Sequence, residues 1–110
     1  MKFIGDIGES QAALYLRLHG YRILKRNFRT RQGEIDIIAQ KKGELIFVEV
    51  KKRKNDSFGG GSAAVNTAKQ QRIIKTAESF LSNYEKEVPC RFDVIEINAN
   101  KITHIKNAFM

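Results

Sequence analysis

The sequence predicts an α/β fold in which a helix is followed by three strands, a second helix and one or two further strands. Three observations support this order. Residues 33–51 alternate apolar and polar side chains with a period of two on either side of a glycine, which is typical of a β-hairpin. Residues 73–84 carry apolar side chains at helical spacing. Residues 91–97 again have the pattern of a strand.

Size and charge limit what the chain can be. Its 110 residues, 42% of them hydrophobic, are enough for a single domain spanning residues 1–110. Twenty lysines and arginines against 12 acids give a net charge of +8, which favours a polyanionic partner: DNA, RNA or an anionic membrane surface. The sequence has no apolar run of about 18 residues and no signal-peptide core, so we expect no membrane span. The lone cysteine, Cys90, fits a reducing cytoplasm.

The first helix is expected over residues 6–19, with Asp6 as its N-cap and Gly20 just beyond its end. Glu9 lies three residues after Asp6, so a capping box explains it as well as a functional role does. The expected apolar stripe of this helix contains Ile7, Leu14, Tyr15 and Leu18, widened by Ala12, Ala13 and Leu16.

The central hairpin places acidic residues opposite one another. If Lys42 and Gly43 form a two-residue turn, or Gly43 forms the bulge of a three-residue loop, Asp36 faces Glu49 and Glu34 faces Lys51 across the two strands. A register shifted by one residue would push an acid into an apolar row, which the alternation argues against. Directly opposed carboxylates repel each other, so a cation is expected between them.

The chemistry of this pair favours a hard divalent metal ion. Carboxylate oxygens suit Mg²⁺ or Mn²⁺, with open positions left for water and a phosphate group. Asp36 and Glu49 are the expected ligands, helped by the backbone carbonyl of Val50. Lys51 adds a positive charge beside the site, where it can stabilise charge on a phosphorus centre or orient the attacking water.

The ordered motifs Gly8-Glu9, Gly33-Glu34-Ile35-Asp36, Phe47-Val48-Glu49-Val50-Lys51 and Arg91-Phe92-Asp93 resemble those of the YraN family of small endonuclease-like proteins. This family is similar in pattern to Holliday-junction resolvases and to the PD-(D/E)XK nuclease superfamily. The resemblance implies a restriction-endonuclease-like core of α-β-β-β-α-β order, with a mixed central sheet flanked by helices. It also implies a metal-dependent DNA endonuclease acting in DNA repair or recombination, with branched or single-stranded DNA among the candidate substrates.

The resemblance extends the expected site beyond the hairpin. It makes Glu9 a catalytic residue and a candidate metal ligand beside Asp36, Glu49 and Lys51. Glu34 is expected to support the site through Lys51. Lys69 and Gln70 are expected to position a phosphate or a metal-bound water, although plain solvation of the helix also explains them. Asp93 is expected to be structural, through an ion pair or a hydrogen bond at a strand end.

Basic residues around the hairpin are expected to contact nucleic acid. The candidates are Arg26, Arg29, Arg31, Lys52 and Arg53. Residues 53–66, which include three consecutive glycines, are expected to form a mobile basic loop; a flap over nucleic acid and a plain linker are both compatible with this composition. His19 and His104 are isolated in sequence and are not candidate metal ligands or nucleophiles.

Two alternatives to a nuclease remain at this stage. The chain can bind nucleic acid without cutting it, or it can serve as an accessory module of a larger DNA-processing complex. A homodimer is compatible with either role, but the sequence identifies no two-fold surface.

Overall fold

The computed structural model describes residues 7–53, 65–84 and 87–110. Its elements confirm the predicted order, and two strands follow the second helix. They are α1 (Ile7–Leu18), β1 (Arg22–Thr30), β2 (Gly33–Lys41), β3 (Glu44–Arg53), α2 (Thr67–Leu81), β4 (Cys90–Asn98) and β5 (Lys101–Phe109). The predicted N-cap Asp6 and residues 54–64 of the predicted mobile loop lie outside the described residues.

The five strands form one mixed sheet whose spatial order, β1-β2-β3-β4-β5, is also the order along the chain. The β1/β2, β2/β3 and β4/β5 pairs are antiparallel, while β3 and β4 are parallel. Parallel neighbours need a crossover connection, and here the crossover contains α2. Helix α2 therefore connects two neighbouring strands in the middle of the sheet.

The two helices pack on opposite faces of the sheet. Alternate residues of a strand point to opposite faces. Ile38 and Phe47 belong to the core cluster that contains Ile73 of α2. Their strand neighbours Ile37 and Val48 belong to the cluster that contains the buried residues of α1. The central strands are thus apolar on both faces, as expected for a sheet covered on both sides.

The buried face of α1 agrees in part with the predicted stripe. Ile7, Leu14 and Leu18 are exposed, Leu18 by 75%. Gly8 and three residues of the predicted stripe face the sheet: Ala12, Ala13 and Leu16. The reason is close packing, because a Cβ atom at Gly8 would lie only 2.5 Å from the Cδ atom of Lys52 on β3. The apolar stripe of α2 is confirmed, with Ile73 and Ala77 buried.

Asp93 on β4 is a buried acid and has the structural role that we expected. Its carboxylate accepts hydrogen bonds from Arg91, from the backbone N–H of Asn107 and from Nε2 of His104. Burial alone would raise the pKa of Asp93, but the bonds from His104, Arg91 and Asn107 outweigh it and lower the pKa. His104 is therefore not isolated: its Nδ1 also lies 3.2 Å from the hydroxyl of Tyr15.

No helix of the described residues is long and apolar enough to cross a membrane.

The hairpin turn and its register are confirmed. Lys42 and Gly43 both have positive φ angles, +52° and +82°, and Lys41 pairs with Glu44 across them. Two positive φ values in a two-residue loop define the turn type whose twist matches the flanking strands. Because Ile37 pairs with Val48, the next residues along the two strands, Asp36 and Glu49, lie opposite each other.

Gly43 offers a test of this turn. Gly43→Ala should lower the free energy of unfolding by about 1 kcal/mol, because alanine is strained at positive φ. No atom lies within 4 Å of a Cβ built there, so a steric clash would not contribute. Gly43→Asn is the matched control. Its free energy of unfolding should fall by less, since asparagine tolerates positive φ angles better than alanine does. Chemical denaturation measures both; an alanine variant as stable as wild type would contradict the turn.

Candidate functional site

The β2 strand changes its packing at Asp36. Ile35 packs in the α2-side core, but Ile37, two residues later, packs in the α1-side core. Opposite Asp36 on β1 lies Asn27, which has a positive φ of 55°. The described β2/β3 ladder also ends here, with Ile37 and Val48 as its last pair. Asp36 therefore stands at a local irregularity in the centre of the sheet.

The predicted register brings Asp36 and Glu49 together just beyond that last ladder pair. Both line one cavity of about 110 Å³, which we call the carboxylate pocket. Oδ2 of Asp36 accepts a 2.7 Å hydrogen bond from the backbone N–H of Val50 on β3. This bond holds the Asp36 carboxylate against the strand that carries Glu49. Glu49 itself is only 6% exposed.

Neighbouring acids and burial disfavour the charged form of Asp36. Burial is the largest cause, and repulsion by Glu49 follows; the hydrogen bond from Val50 opposes both. Glu9 and Glu34 add further repulsion, and together these effects raise the pKa of Asp36 to about 8. Three glutamates, Glu49, Glu9 and Glu34, therefore repel a negative charge on Asp36.

Helix α2 supplies positive charge to the same pocket. The residues that line it are Gly33, Glu34, Asp36, Glu49, Lys69, Arg72 and Ile73. The ammonium group of Lys69 forms an ion pair with the Glu49 carboxylate. Lys69 therefore lies in the same pocket as Asp36 and Glu49. Arg72, one helical turn further on, was missed because the sequence did not show which polar residues of α2 face the strands.

Gly33 allows α2 to lie close to the pocket. A Cβ at this position would stand 3.1 Å from Oγ1 of Thr76 and 3.3 Å from Cβ of Arg72. Thr76 is fully buried and donates its hydroxyl to the carbonyl of Arg72 inside the helix. A larger residue at the start of β2 would push the helix, and with it Lys69, away from the carboxylates.

Other predicted residues are placed in different ways. Glu9 lies 3.9 Å from Arg26, which also donates to the Ser10 hydroxyl. Arg26 therefore contacts two residues of α1. The negative charge of Glu9 also contributes to the raised pKa of Asp36. Gln70 does not line the carboxylate pocket; its side-chain amide donates to the carbonyl of Val65.

Glu34 has a partner that the sequence did not predict. It forms an ion pair with Arg29 on β1 at 3.3 Å, because Arg29 is its strand neighbour in the described ladder. Lys51 lies beside Glu96 of β4 in the parallel register. Arg53, predicted to contact nucleic acid, forms an ion pair with Glu96.

Arg31 and Lys52 keep exposed side chains. Arg31 occupies the turn between β1 and β2, and the stem of Lys52 passes over Gly8 of α1. Both remain available to an anionic partner at the surface.

The donor set fits Mg²⁺ or Mn²⁺. Among the described residues, no group of three or more His, Cys, Asp or Glu side chains is already arranged to hold a metal ion. Mg²⁺ is usually held by one or two carboxylates and several waters, however, and Asp36 with Glu49 can provide these two. The raised pKa of Asp36 and the ion pair of Glu49 with Lys69 both show that this place favours positive charge.

The raised pKa of Asp36 makes a prediction for metal-free protein. Folding raises this pKa from 3.8 to about 8, so the folded state binds a proton that the unfolded state releases. The free energy of unfolding should fall as pH rises between these values. Asp36→Asn keeps an oxygen that can accept from the Val50 N–H but cannot bind the proton. The free energy of unfolding of this variant should therefore fall less steeply with pH. Chemical denaturation in EDTA across pH measures the difference, and parallel curves would contradict it.

Comparison with known proteins places the chain in a family. The profile of the uncharacterised protein family UPF0102 matches residues 8–97. A UPF0102 protein of Thermodesulfovibrio yellowstonii is 50% identical over 106 residues, which cover 96% of this chain and 95% of the relative. A UPF0102 protein of Janthinobacterium sp. (strain Marseille) is 46% identical over 104 residues, covering 94% and 85%. Among solved structures, a repair endonuclease from Pyrococcus abyssi aligns with a TM-score of 0.48 at 20% identity, over 82% of this chain and 38% of that chain. The chain belongs to family UPF0102, the YraN family that its motifs resemble.

Proposed function

We propose that this protein is a metal-dependent endonuclease that hydrolyses phosphodiester bonds in DNA. The observation that carries the proposal is the pairing of Asp36 with Glu49 in a pocket where mutual repulsion and burial disfavour two negative charges. Such a pair weakens the folded state unless a cation joins it. A structural role alone would favour full compensation, as Asp93 obtains from its hydrogen-bond partners.

Residues in and beside the carboxylate pocket have defined tasks in this proposal. Asp36 and Glu49 hold Mg²⁺ or Mn²⁺, and the N–H of Val50 fixes the orientation of Asp36. When bound, such an ion would supply an activated water and would neutralise charge on the phosphate. Lys51 follows two residues after Glu49 on the same strand, where its positive charge can stabilise the developing charge on phosphorus. The Val50 carbonyl and Glu9 are proposed as further ligands.

The basic side chains supply affinity for the substrate. Lys69 and Arg72 line the pocket itself, so a phosphate that approaches the carboxylates meets two cations from α2. The net charge of +8 supports binding that does not depend on base sequence. We propose DNA as the substrate, with a branched, flap or single-stranded structure as its specific form and DNA repair or recombination as its setting.

One observation favours a second function. Lys69 already pairs with Glu49, so a cation of the chain itself can balance the carboxylates without a metal. In that case the domain binds nucleic acid, alone or within a larger complex, and does not cut it.

A cleavage assay separates these functions. Labelled four-way junction, flap, single-stranded and duplex DNA should be incubated with the protein and Mg²⁺ or Mn²⁺. Wild type should cut at least one of them. Glu49→Gln should lower the cleavage rate by at least about 100-fold, because removing a metal ligand should cost more activity than removing a residue that only hydrogen-bonds to a ligand.

Glu78→Gln is the matched control, since it makes the same chemical change on the exposed surface of α2. It should cut like wild type. Cleavage by Glu49→Gln at the wild-type rate would overturn the assignment of the site. Salt-sensitive binding without any cleavage would favour the second function.

The ion pair of Lys69 predicts how metal affects stability. Lys69→Gln leaves the buried Glu49 carboxylate without this cation, so the metal-free variant should melt at a lower temperature than wild type. Mn²⁺ should then raise its melting temperature by more than it raises that of wild type, because no ammonium group must be displaced. Lys75→Gln, an exposed change on the same helix, should behave like wild type. Equal metal-induced shifts in all three proteins would contradict competition at Glu49.

A further inference from the structure

A second charged cavity lies at the far end of the central hairpin. It has a volume of about 180 Å³ and is lined by Tyr21, Lys41, Lys42, Glu44, Arg91 and Lys106. We call it the basic pocket. Lys41 follows Asp36 by five residues on β2, so the two pockets are separated by roughly 17 Å along the strand. None of the residues discussed above as nucleic-acid contacts lines it.

The basic pocket has an excess of positive charge. Four of its lining residues are cationic, and one, Glu44, is acidic. Arg91 uses its guanidinium for Asp93, Glu44 and the Tyr21 hydroxyl, so its charge is largely balanced by two acids. The three lysines then remain as the uncompensated charge of the cavity lining.

The structure also fixes part of this lining in place. Nζ of Lys41 donates a 2.9 Å hydrogen bond to the carbonyl of His19 and lies 4.6 Å from the centre of the Tyr21 ring. The same ring carries the hydroxyl that accepts from Arg91 at 2.8 Å. One wall is therefore rigid, while Lys42 at the turn and Lys106 on β5 present exposed side chains on the other sides.

We propose that the basic pocket binds a phosphodiester group of nucleic acid, as a contact separate from the carboxylate pocket. Lysine ammonium groups bind phosphate oxygens through short charge-assisted hydrogen bonds and do not distinguish base sequence. The volume is several times the share of one water molecule in the liquid, so a phosphate group fits. The inference rests on the proposed function for the identity of the polymer, but not on cleavage.

The test measures binding of a labelled DNA duplex in EDTA, where no metal-dependent cleavage takes place. Fluorescence anisotropy across a salt series gives the slope of log affinity against log salt, which reports the number of phosphate contacts. The double variant Lys42→Gln/Lys106→Gln should bind more weakly at low salt, and its slope should be shallower by about 1 to 2. Lys41 is left intact because it also holds the end of α1.

Two matched variants control for charge and folding. Lys75→Gln/Lys101→Gln removes the same charge from exposed positions outside the pocket and should keep the wild-type slope. Lys42→Arg/Lys106→Arg keeps the charge and should restore binding. Equal losses in the two glutamine doubles would overturn the proposal, because general charge would then explain the effect.

The source of the phosphate is tested by titrating inorganic phosphate alone and following the backbone amide signals of Lys42 and Gly43 by NMR. If free phosphate saturates the basic pocket while Lys42→Gln/Lys106→Gln keeps the wild-type salt slope for DNA, the proposal that the pocket binds nucleic acid would be overturned. Cleavage tests the nuclease proposal separately. If Lys42→Gln/Lys106→Gln still cuts DNA when the protein is saturated with DNA, the basic pocket and the carboxylate pocket act independently. Loss of cleavage in Glu49→Gln with a wild-type salt slope would leave the basic pocket unaffected.

Discussion

The repulsion between Asp36 and Glu49 is the constraint on which the rest of the structure depends. A carboxylate pair at the centre of a sheet opposes folding, so the chain must fix it with interactions from elsewhere. The turn at Lys42 and Gly43 sets the register, and the Val50 N–H holds one acid. Helix α2 brings an ammonium group to the other. The crossover between parallel strands is what places this helix over the pair.

Asp93 and Asp36 show how the surroundings of an acid decide the direction of its pKa shift. Asp93 has no exposed surface, yet its partners lower its pKa because they supply donors on several sides. Asp36 receives one backbone N–H and faces acids, and its pKa rises. Acids that repel each other in this way reduce stability, and strongly shifted pKa values of this kind occur often at functional sites.

Much of the fold followed from local patterns, and the errors have physical causes. Alternation fixed the hairpin register, because a one-residue slip would have buried acids. Helix α1 is apolar on two faces, and the sequence does not reveal that close packing selects the face with small residues such as Gly8 and Ala12. His104 was missed because its partners, Tyr15 and Asp93, are distant in sequence. The ion pair of Glu34 with Arg29 was not predicted, because the sequence pattern did not give the register between β1 and β2.

The most direct measurement of the central claim is a titration of metal-free protein with Mn²⁺, followed by electron paramagnetic resonance of the unbound ion. Wild type is expected to remove Mn²⁺ from solution in a saturable way. Asp36→Asn/Glu49→Gln is expected to lose that binding while remaining folded. Equal uptake by both proteins would contradict the account, because the carboxylates would then not be where the cation is held.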